Sequence, residues 1–222
     1  MIDHRALAAG NISSNRLDLQ LIANMIPEGS RVLDIGCGSG ELLSILVSDR
    51  QVSGHGLELS QSGVNACVTK GLSVVQGDAD RDLSYYPSDG FDFVILSQTL
   101  QATQHPQEVL QEMARIGKKL IISIPNFGYW RVRLDLLLKG RMPKTQTLHA
   151  QWYNTANIHL CTLLDFVDLA QLVGLEVQSH ITVNKWRVRQ SNGQISALDN
   201  LRSELGVFVL SPKQIDKTKQ AV

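Results

Sequence analysis

Chemistry in this chain is most concentrated at Gly36-Cys37-Gly38-Ser39-Gly40, directly after the apolar run Val32-Leu33-Asp34-Ile35 with its single carboxylate. A helical pattern follows, with Leu42, Leu43, Ile45 and Leu46 on its apolar face. The stretch reads as a buried strand, a tight turn and a helix start. Alternating glycines remove the side chains that would hold a ligand away from the backbone. A helix start presents unpaired N–H groups and the positive end of a dipole. The turn is therefore a seat for a ligand with an anionic group, at the mouth of an α/β sheet.

The spacing narrows the ligand. A dinucleotide site uses G-x-G-x-x-G, with room for a pyrophosphate. Here the pattern is G-x-G-x-G, and Asp34 stands just before it. A carboxylate there repels a pyrophosphate, which disfavours a nicotinamide oxidoreductase. It suits a ligand carrying both a carboxylate and a cation. S-adenosylmethionine (SAM) has an ammonium, a carboxylate and a sulfonium, and the stretch resembles the first motif of class I SAM-dependent methyltransferases. Val52–Leu57 reads as a second strand ending in Glu58, close to the roughly 20-residue offset of a ribose-binding acid. A third strand at 72–76 leads into Asp78, whose place in the superfamily faces the adenine amino group; Asp80 is its rival. The resemblance implies a cofactor-binding set of Asp34, Gly36, Cys37, Gly38, Gly40, Glu58, Leu59, Asp78, Ala79 and Ser97, for SAM or S-adenosylhomocysteine (SAH).

The elements that must position these residues alternate along the chain. A helix covers about 16–26, stopped by Pro27. Strands are expected at 31–35, 52–58, 72–76, 91–96 and 120–124, with helices at 40–48, from Ser60 to Gly71, and from Pro106 to Gly117. Thr162 and Asp165 resemble a capping box for a helix ending at Gly174. Strands near 175–184 and 206–210 complete a seven-stranded, mostly parallel, doubly wound sheet of the α/β class. One domain is expected over 1–211, with a flexible tail at 212–222.

Residues 126–161 break the rhythm, being long for a connection in a compact domain, and read as an inserted cap. They carry Arg131, Arg133, Lys139, Arg141 and Lys144 against one acid, Asp135, together with Phe127, Tyr129, Trp130, Trp152 and Tyr153. Leu134, Leu136, Leu137 and Leu138 suggest a short apolar helix. The cap lies beyond the carboxyl end of a central strand, where it can cover a pocket or hold a partner.

Catalytic machinery is harder to find. Methyl transfer is an in-line displacement, so positioning supplies much of the rate. A base helps only where the acceptor must lose a proton. His105, His149 and Tyr153 are the candidates, with His159 behind them, and none stands in a motif that assigns a role. An N-P-P-Y signature, a G-x-S-x-G elbow and metal-ligand spacings are all missing.

Composition bounds the rest. The 222 residues hold 21 basic and 21 acidic side chains, a balance that gives no global field for nucleic acid or an anionic membrane. No apolar run approaches the roughly 18 residues of a membrane-spanning helix, and the first residues lack a signal-peptide pattern. Cys37, Cys67 and Cys161 form no C-x-x-C and read as reduced thiols of a cytoplasmic protein, Cys67 as core.

Three later stretches narrow the family. Ser97–Thr103 (SQTLQAT), Pro125–Arg133 (PNFGYWRVR) and Trp152–Cys161 (WYNTANIHLC) resemble the methionine-biosynthesis protein MetW family. The likeness runs from about Arg16 to Gly174. It implies a bacterial, methyltransferase-fold protein linked to homoserine O-acyltransferase, acting as its partner or activator. The cap then becomes the docking surface, with Trp130, Arg131, Arg133 and Trp152 as anchors. The alternative is an active methyltransferase on a small anionic metabolite. Where ordinary small-molecule methyltransferases have Pro-Gly-Gly before strand five, Ile116-Gly117-Lys118-Lys119 stands here, which implies an altered pocket wall.

Overall fold

The computed structural model describes residues 17–213, apart from 149 and 186. Helices α1 (Leu17–Met25), α2 (Glu41–Arg50), α3 (Gln61–Thr69), α4 (Pro106–Ile116), α5 (Trp130–Lys139), α6 (Leu163–Leu172) and α7 (Ala197–Arg202) surround one sheet. Its strands are β1 (Arg31–Ile35), β2 (Ser53–Glu58), β3 (Ser73–Gln76), β4 (Phe91–Ser97), β5 (Gly117–Pro125), β6 (Leu175–Asn184), β7 (Arg187–Ser191) and β8 (Leu205–Pro212). Their order is β3-β2-β1-β4-β5-β8-β6-β7. β1 to β5 pair in parallel; β8 enters antiparallel between β5 and β6.

The alternation of side chains along a strand builds two cores. Leu33 and Ile35 of β1 join Val94 and Leu96 of β4 on one face, under Met113 of α4 and Phe166 of α6. Val32 and Ile95 turn to the other face, against Ile22 of α1, Ile26 just beyond it, and Leu42 and Leu46 of α2. Strands buried on both faces read as continuous apolar runs, as β1, β4 and β5 do. The helix starts follow their caps. The Ser60 hydroxyl accepts from Gly63 N, Pro106 opens α4, and Thr162 and Asp165 form the full capping box.

The seven-stranded expectation needs a correction. β7 adds an eighth strand as an edge hairpin on β6, and α7 precedes β8. β7 is short and polar, with Arg187, Arg189 and Gln190, so it lacks the apolar run that marks a buried strand. α7 starts at a second capping box, Ser196 with Asp199. β8 extends through Pro212, and Lys213 N donates to Gly174 O. Residues from 214 on, most of the expected tail, lie outside the described residues.

The Ile116–Lys119 departure also resolves differently from expectation. α4 passes straight into β5 at Gly117. Lys118 Nζ meets Asp92 at 2.9 Å, and Lys119 lies over the Phe93 ring. These contacts sit at the amino end of the sheet, away from the carboxyl-end cavity, and none of the four residues lines it.

The cap is anchored by Asn126, 1 % exposed at the end of β5. Its Nδ2 donates to the carbonyls of Asn200 and Ser203, and its Oδ1 accepts from Gly128 N and Leu163 N. Phe127 N donates to Cys161 O, so the segment leaves and returns at one point. Tyr129, Val132 and Leu148 form a small core of its own, with Phe127 packed against it.

Candidate functional site

The glycine turn lies between β1 and α2, with φ of 68° at Gly36, 57° at Gly38 and 75° at Gly40. Only glycine adopts such angles without strain. A Cβ at Gly36 would stand 2.7 Å from Thr99 Cγ2, whereas one at Gly38 would meet nothing within 4 Å. Gly36 is therefore demanded by packing, and Gly38 faces open space where a ligand can approach the backbone.

The turn offers space more than donors. Gly36 N and Cys37 N both donate to Leu57 O, Gly40 N to Cys37 O, and Gly38 N to Glu58 Oε2. The positive field then comes from the first turn of α2. Glu58 Oε1 accepts from Ser60 N and Oγ, so this carboxylate fastens the turn to β2 and α3. Leu59 beside it is exposed.

Behind the turn, Cys37 and Cys67 Sγ atoms lie 3.8 Å apart, and Cys67 is fully buried, as expected of a core thiol. Burial, with Asp34 and Cys67 nearby, pushes the Cys37 thiol far above its ordinary range. It stays protonated and packs as a small apolar group.

A cavity of about 1360 Å³ opens at the carboxyl ends of β1, β4 and β5. Its floor holds Asp34, Gly36, Cys37, Gly38, Ser97, Gln98 and Gln101; its roof is the cap, from Gly140 to Leu160. Asp34 is 2 % exposed. α1 braces the floor, because Asp18 Oδ2 accepts from Gln98 Nε2 at 2.7 Å and from Ser97 Oγ at 3.2 Å. Gln98 has φ of 52° without being glycine, a strained geometry that clusters at functional sites. Asp18 stands outside every motif of the sequence. Gln98 and Gln101 belong to the Ser97–Thr103 stretch that carries the family resemblance, directly after a central strand, but the stretch assigns them no role.

The expected site residues divide accordingly. Asp34, Gly36, Cys37, Gly38 and Ser97 line the cavity; Glu58, Leu59, Asp78 and Ala79 do not. Gly40 sits behind the turn as the N-cap of α2, where a Cβ would strike Leu72 and Cys67. Asp78 Oδ1 accepts from Asp80 N. Its rival Asp80 accepts from Gln104 N and His105 N, fixing the start of α4.

His105 caps α4, outside the cavity lining, with its Nδ1 3.7 Å from Asp80. Tyr153 is 70 % exposed, edge-on to Trp152. His159 N donates to the backbone carbonyl of Gln101. His149 lies outside the described residues.

The four anchors do not form one patch of equivalent groups. Arg131 stacks 5.3 Å over the Trp130 ring on α5, and Arg133 Nε is tied to Gly128 O. Trp152, though exposed, is at the cavity rim. Among the described residues no helix is long and apolar enough to cross a membrane, and no cluster could hold a metal ion.

Comparison with known proteins agrees with this architecture. The methionine biosynthesis protein MetW family model matches residues 16–210. The bifunctional methionine biosynthesis protein MetXA/MetW of Rhodopirellula baltica is 35 % identical over 193 residues, covering 83 % of this chain and 30 % of that protein. A fatty-acid O-methyltransferase of Mycolicibacterium smegmatis is 36 % identical over 111 residues, 46 % of this chain and 40 % of that one. The chain thus spans well under half the length of these relatives. Among solved structures, a SAM-dependent methyltransferase of Thermotoga maritima, described as a possible histamine N-methyltransferase, superposes with a TM-score of 0.65 at 21 % identity, covering 88 % of this chain and 87 % of that one. The sheet is that of the class I methyltransferases, and the chain belongs to the MetW family of methionine-biosynthesis proteins.

Proposed function

We propose that this protein binds SAM or SAH at the Gly36–Gly40 turn and serves as the accessory partner of a homoserine O-acyltransferase in methionine biosynthesis. The observation that carries the partnership is the Rhodopirellula relative, whose name joins MetXA to MetW in one polypeptide. Fusion makes an encounter intramolecular and raises its effective concentration. We read the MetXA half as the acyltransferase, the enzyme to which the family resemblance points.

The residues at the turn fit the adenosyl ligand. Asp34 presents a buried carboxylate to a cavity that a cationic ligand can enter, and Gly38 leaves its backbone uncovered. Glu58 is fixed beside the turn by Gly38 and Ser60, and we assign the ribose hydroxyls to its remaining lone pairs. We assign the adenine to the neighbouring Leu59, Asp78 and Ala79, as the superfamily resemblance implies. When bound, SAM offers an electrophilic methyl group.

The cap supplies the docking surface. α5 buries only Val132, leaving Leu137 and Leu138 79 % and 71 % exposed beside Trp130 and Arg131. Apolar groups of this size on a surface mark interfaces, and aromatic and Arg side chains are their usual anchors. The test is co-purification with the acyltransferase, using Arg131→Glu with Leu137→Glu, two exposed positions. Retention by the wild type and loss by a variant that melts normally supports the proposal; equal retention by both refutes the surface. Rapid methyl release from labelled SAM with a small acceptor would instead make the protein a methyltransferase.

A further inference from the structure

The cap carries α5 and roofs the cavity, and one small core serves both. α5 buries a single side chain, Val132. Val132 packs with Tyr129 and Leu148, and Phe127 lies against them. Phe127 and Leu148 also line the cavity. From Gly140, the C-cap of α5, the chain runs on as cavity wall through Lys144. The helix and the wall are therefore one packed unit, and close packing transmits the displacement of one side chain to its neighbours.

The outer face of α5 depends on that core for its position. Trp130, Leu134, Leu137 and Leu138 fall at i, i+4, i+7 and i+8, on the side of the helix away from Val132. All four are exposed. Arg133 adds a bond to Gly128 O, but this too lies within the cap.

The cap is built as a lobe on one hinge. It leaves and rejoins the body where Phe127 N donates to Cys161 O. It is latched to the cavity floor by Ile158 N and His159 N, which donate to Gln101 O. It is latched to the residue before β8 by Thr147 N, 3.1 Å from Glu204 Oε1. Hinged closure of a lobe over a ligand is a recurrent switching device. A ligand seated against Gly38 lies in the cavity that the lobe roofs. It touches floor and roof together only while the lobe is down, so it binds that state better, and such differential affinity is what shifts an equilibrium.

We propose that the cap is a ligand-controlled gate for docking: an adenosyl ligand under the lobe holds it down, fixes α5 and so raises the affinity for the acyltransferase. This gate rests on the assignment of the glycine turn to SAM or SAH and of α5 to docking. A helix already fixed docks without the ordering cost of a loose one. Linkage runs both ways, so the acyltransferase raises the affinity for the adenosyl ligand by the same factor. The chain thereby reports the supply of adenosyl ligand to the acyltransferase.

The test uses the full chain, with SAH as the probe. Amide exchange over Trp130–Lys139 is expected to slow at least about fivefold at saturating SAH, although no residue of α5 lines the cavity. Affinity for purified homoserine O-acyltransferase is expected to rise about fivefold or more with SAH, and calorimetry of SAH with and without the acyltransferase should return the same factor. Val132→Ala leaves every cavity-lining side chain in place, so SAH affinity should stay within about twofold while the gain in docking is lost. Should Val132→Ala melt early, the wild-type measurements still decide the matter. SAH heat with unchanged exchange in α5 overturns the gate. So does docking that SAH leaves equal or makes weaker, or a folded Val132→Ala protein that keeps the full gain. No SAH heat from a folded protein overturns the cofactor reading and the gate with it. Exchange in α5 that responds to SAH, with no docking in either state, supports the gate and refutes only its assignment to the acyltransferase.

Discussion

Replacing Gly38 and Gly36 separately by alanine tells a ligand seat from a merely tight turn. Both have positive φ, so either alanine costs about 1–2 kcal/mol of backbone strain. For a chain of this size that is a fall in Tm of about 2–8 °C. At Gly38 nothing else is added, because its Cβ meets no atom within 4 Å. At Gly36 the Cβ lies 2.7 Å from Thr99 Cγ2 and 2.8 Å from Oγ1, and overpacking adds about 1–3 kcal/mol. Gly36→Ala should therefore melt lower than Gly38→Ala, and Thr99→Ala should recover part of that loss but not the strain. Binding should invert the order of interest. The Gly38 methyl occupies the space a ligand needs, so SAH affinity should fall at least about tenfold, or about 1.4 kcal/mol, in a protein that is still folded. Differential scanning fluorimetry and calorimetry on the same samples read both effects. If Gly38→Ala loses only stability and binds SAH like the wild type, the open face of the turn is not a ligand seat.

Further perturbations probe the frame around the site. Glu58→Gln takes charge from bonds to Gly38 N, Ser60 N and Ser60 Oγ; calorimetry should show SAH affinity down ten- to a hundredfold, from about 1.5–3 kcal/mol. Asn126→Ala strands buried donors and acceptors at both ends of the cap; a loss of about 3 kcal/mol is expected in urea titration, with faster proteolysis inside 127–161. His180, buried with its Nδ1 unpartnered among the described residues, has a pKa lowered chiefly by burial, against an opposing pull from Asp199. A lowered histidine favours the native state while neutral, so that stability is full above about pH 6.5 and is lost as pH falls below it. His180→Gln should flatten the pH dependence of Tm across that window.

Much of the frame could be read from local sequence. β1, its glycine turn and α2 are one contiguous stretch, and the starts of α3, α4 and α6 are marked by Ser60, Pro106 and Thr162. Long-range assembly was not legible. Asp18 reaches Ser97 and Gln98 across the fold, and a buried acid in an amphipathic helix gives no sign of its partner. Gln101 reads as an ordinary polar residue until the cap closes over it. Glu58 reads as a ligand group from its spacing after the glycine turn, whereas the fold also uses it as a brace for that turn. Arg133 reads as a docking anchor, and its Nε also donates to Gly128 O, a backbone contact that charge counting cannot see. β7 escaped notice because an exposed hairpin strand carries no apolar pattern.

The central claim is that the Gly36–Gly40 turn seats an adenosyl ligand, and one calorimetric comparison addresses it. SAH and NAD are titrated into the same folded protein. Saturable binding of SAH at tens of micromolar or tighter, about −6 kcal/mol or more favourable, with no heat from NAD, is the predicted result. Binding of NAD, or silence from SAH in a protein with a normal melting transition, would contradict it.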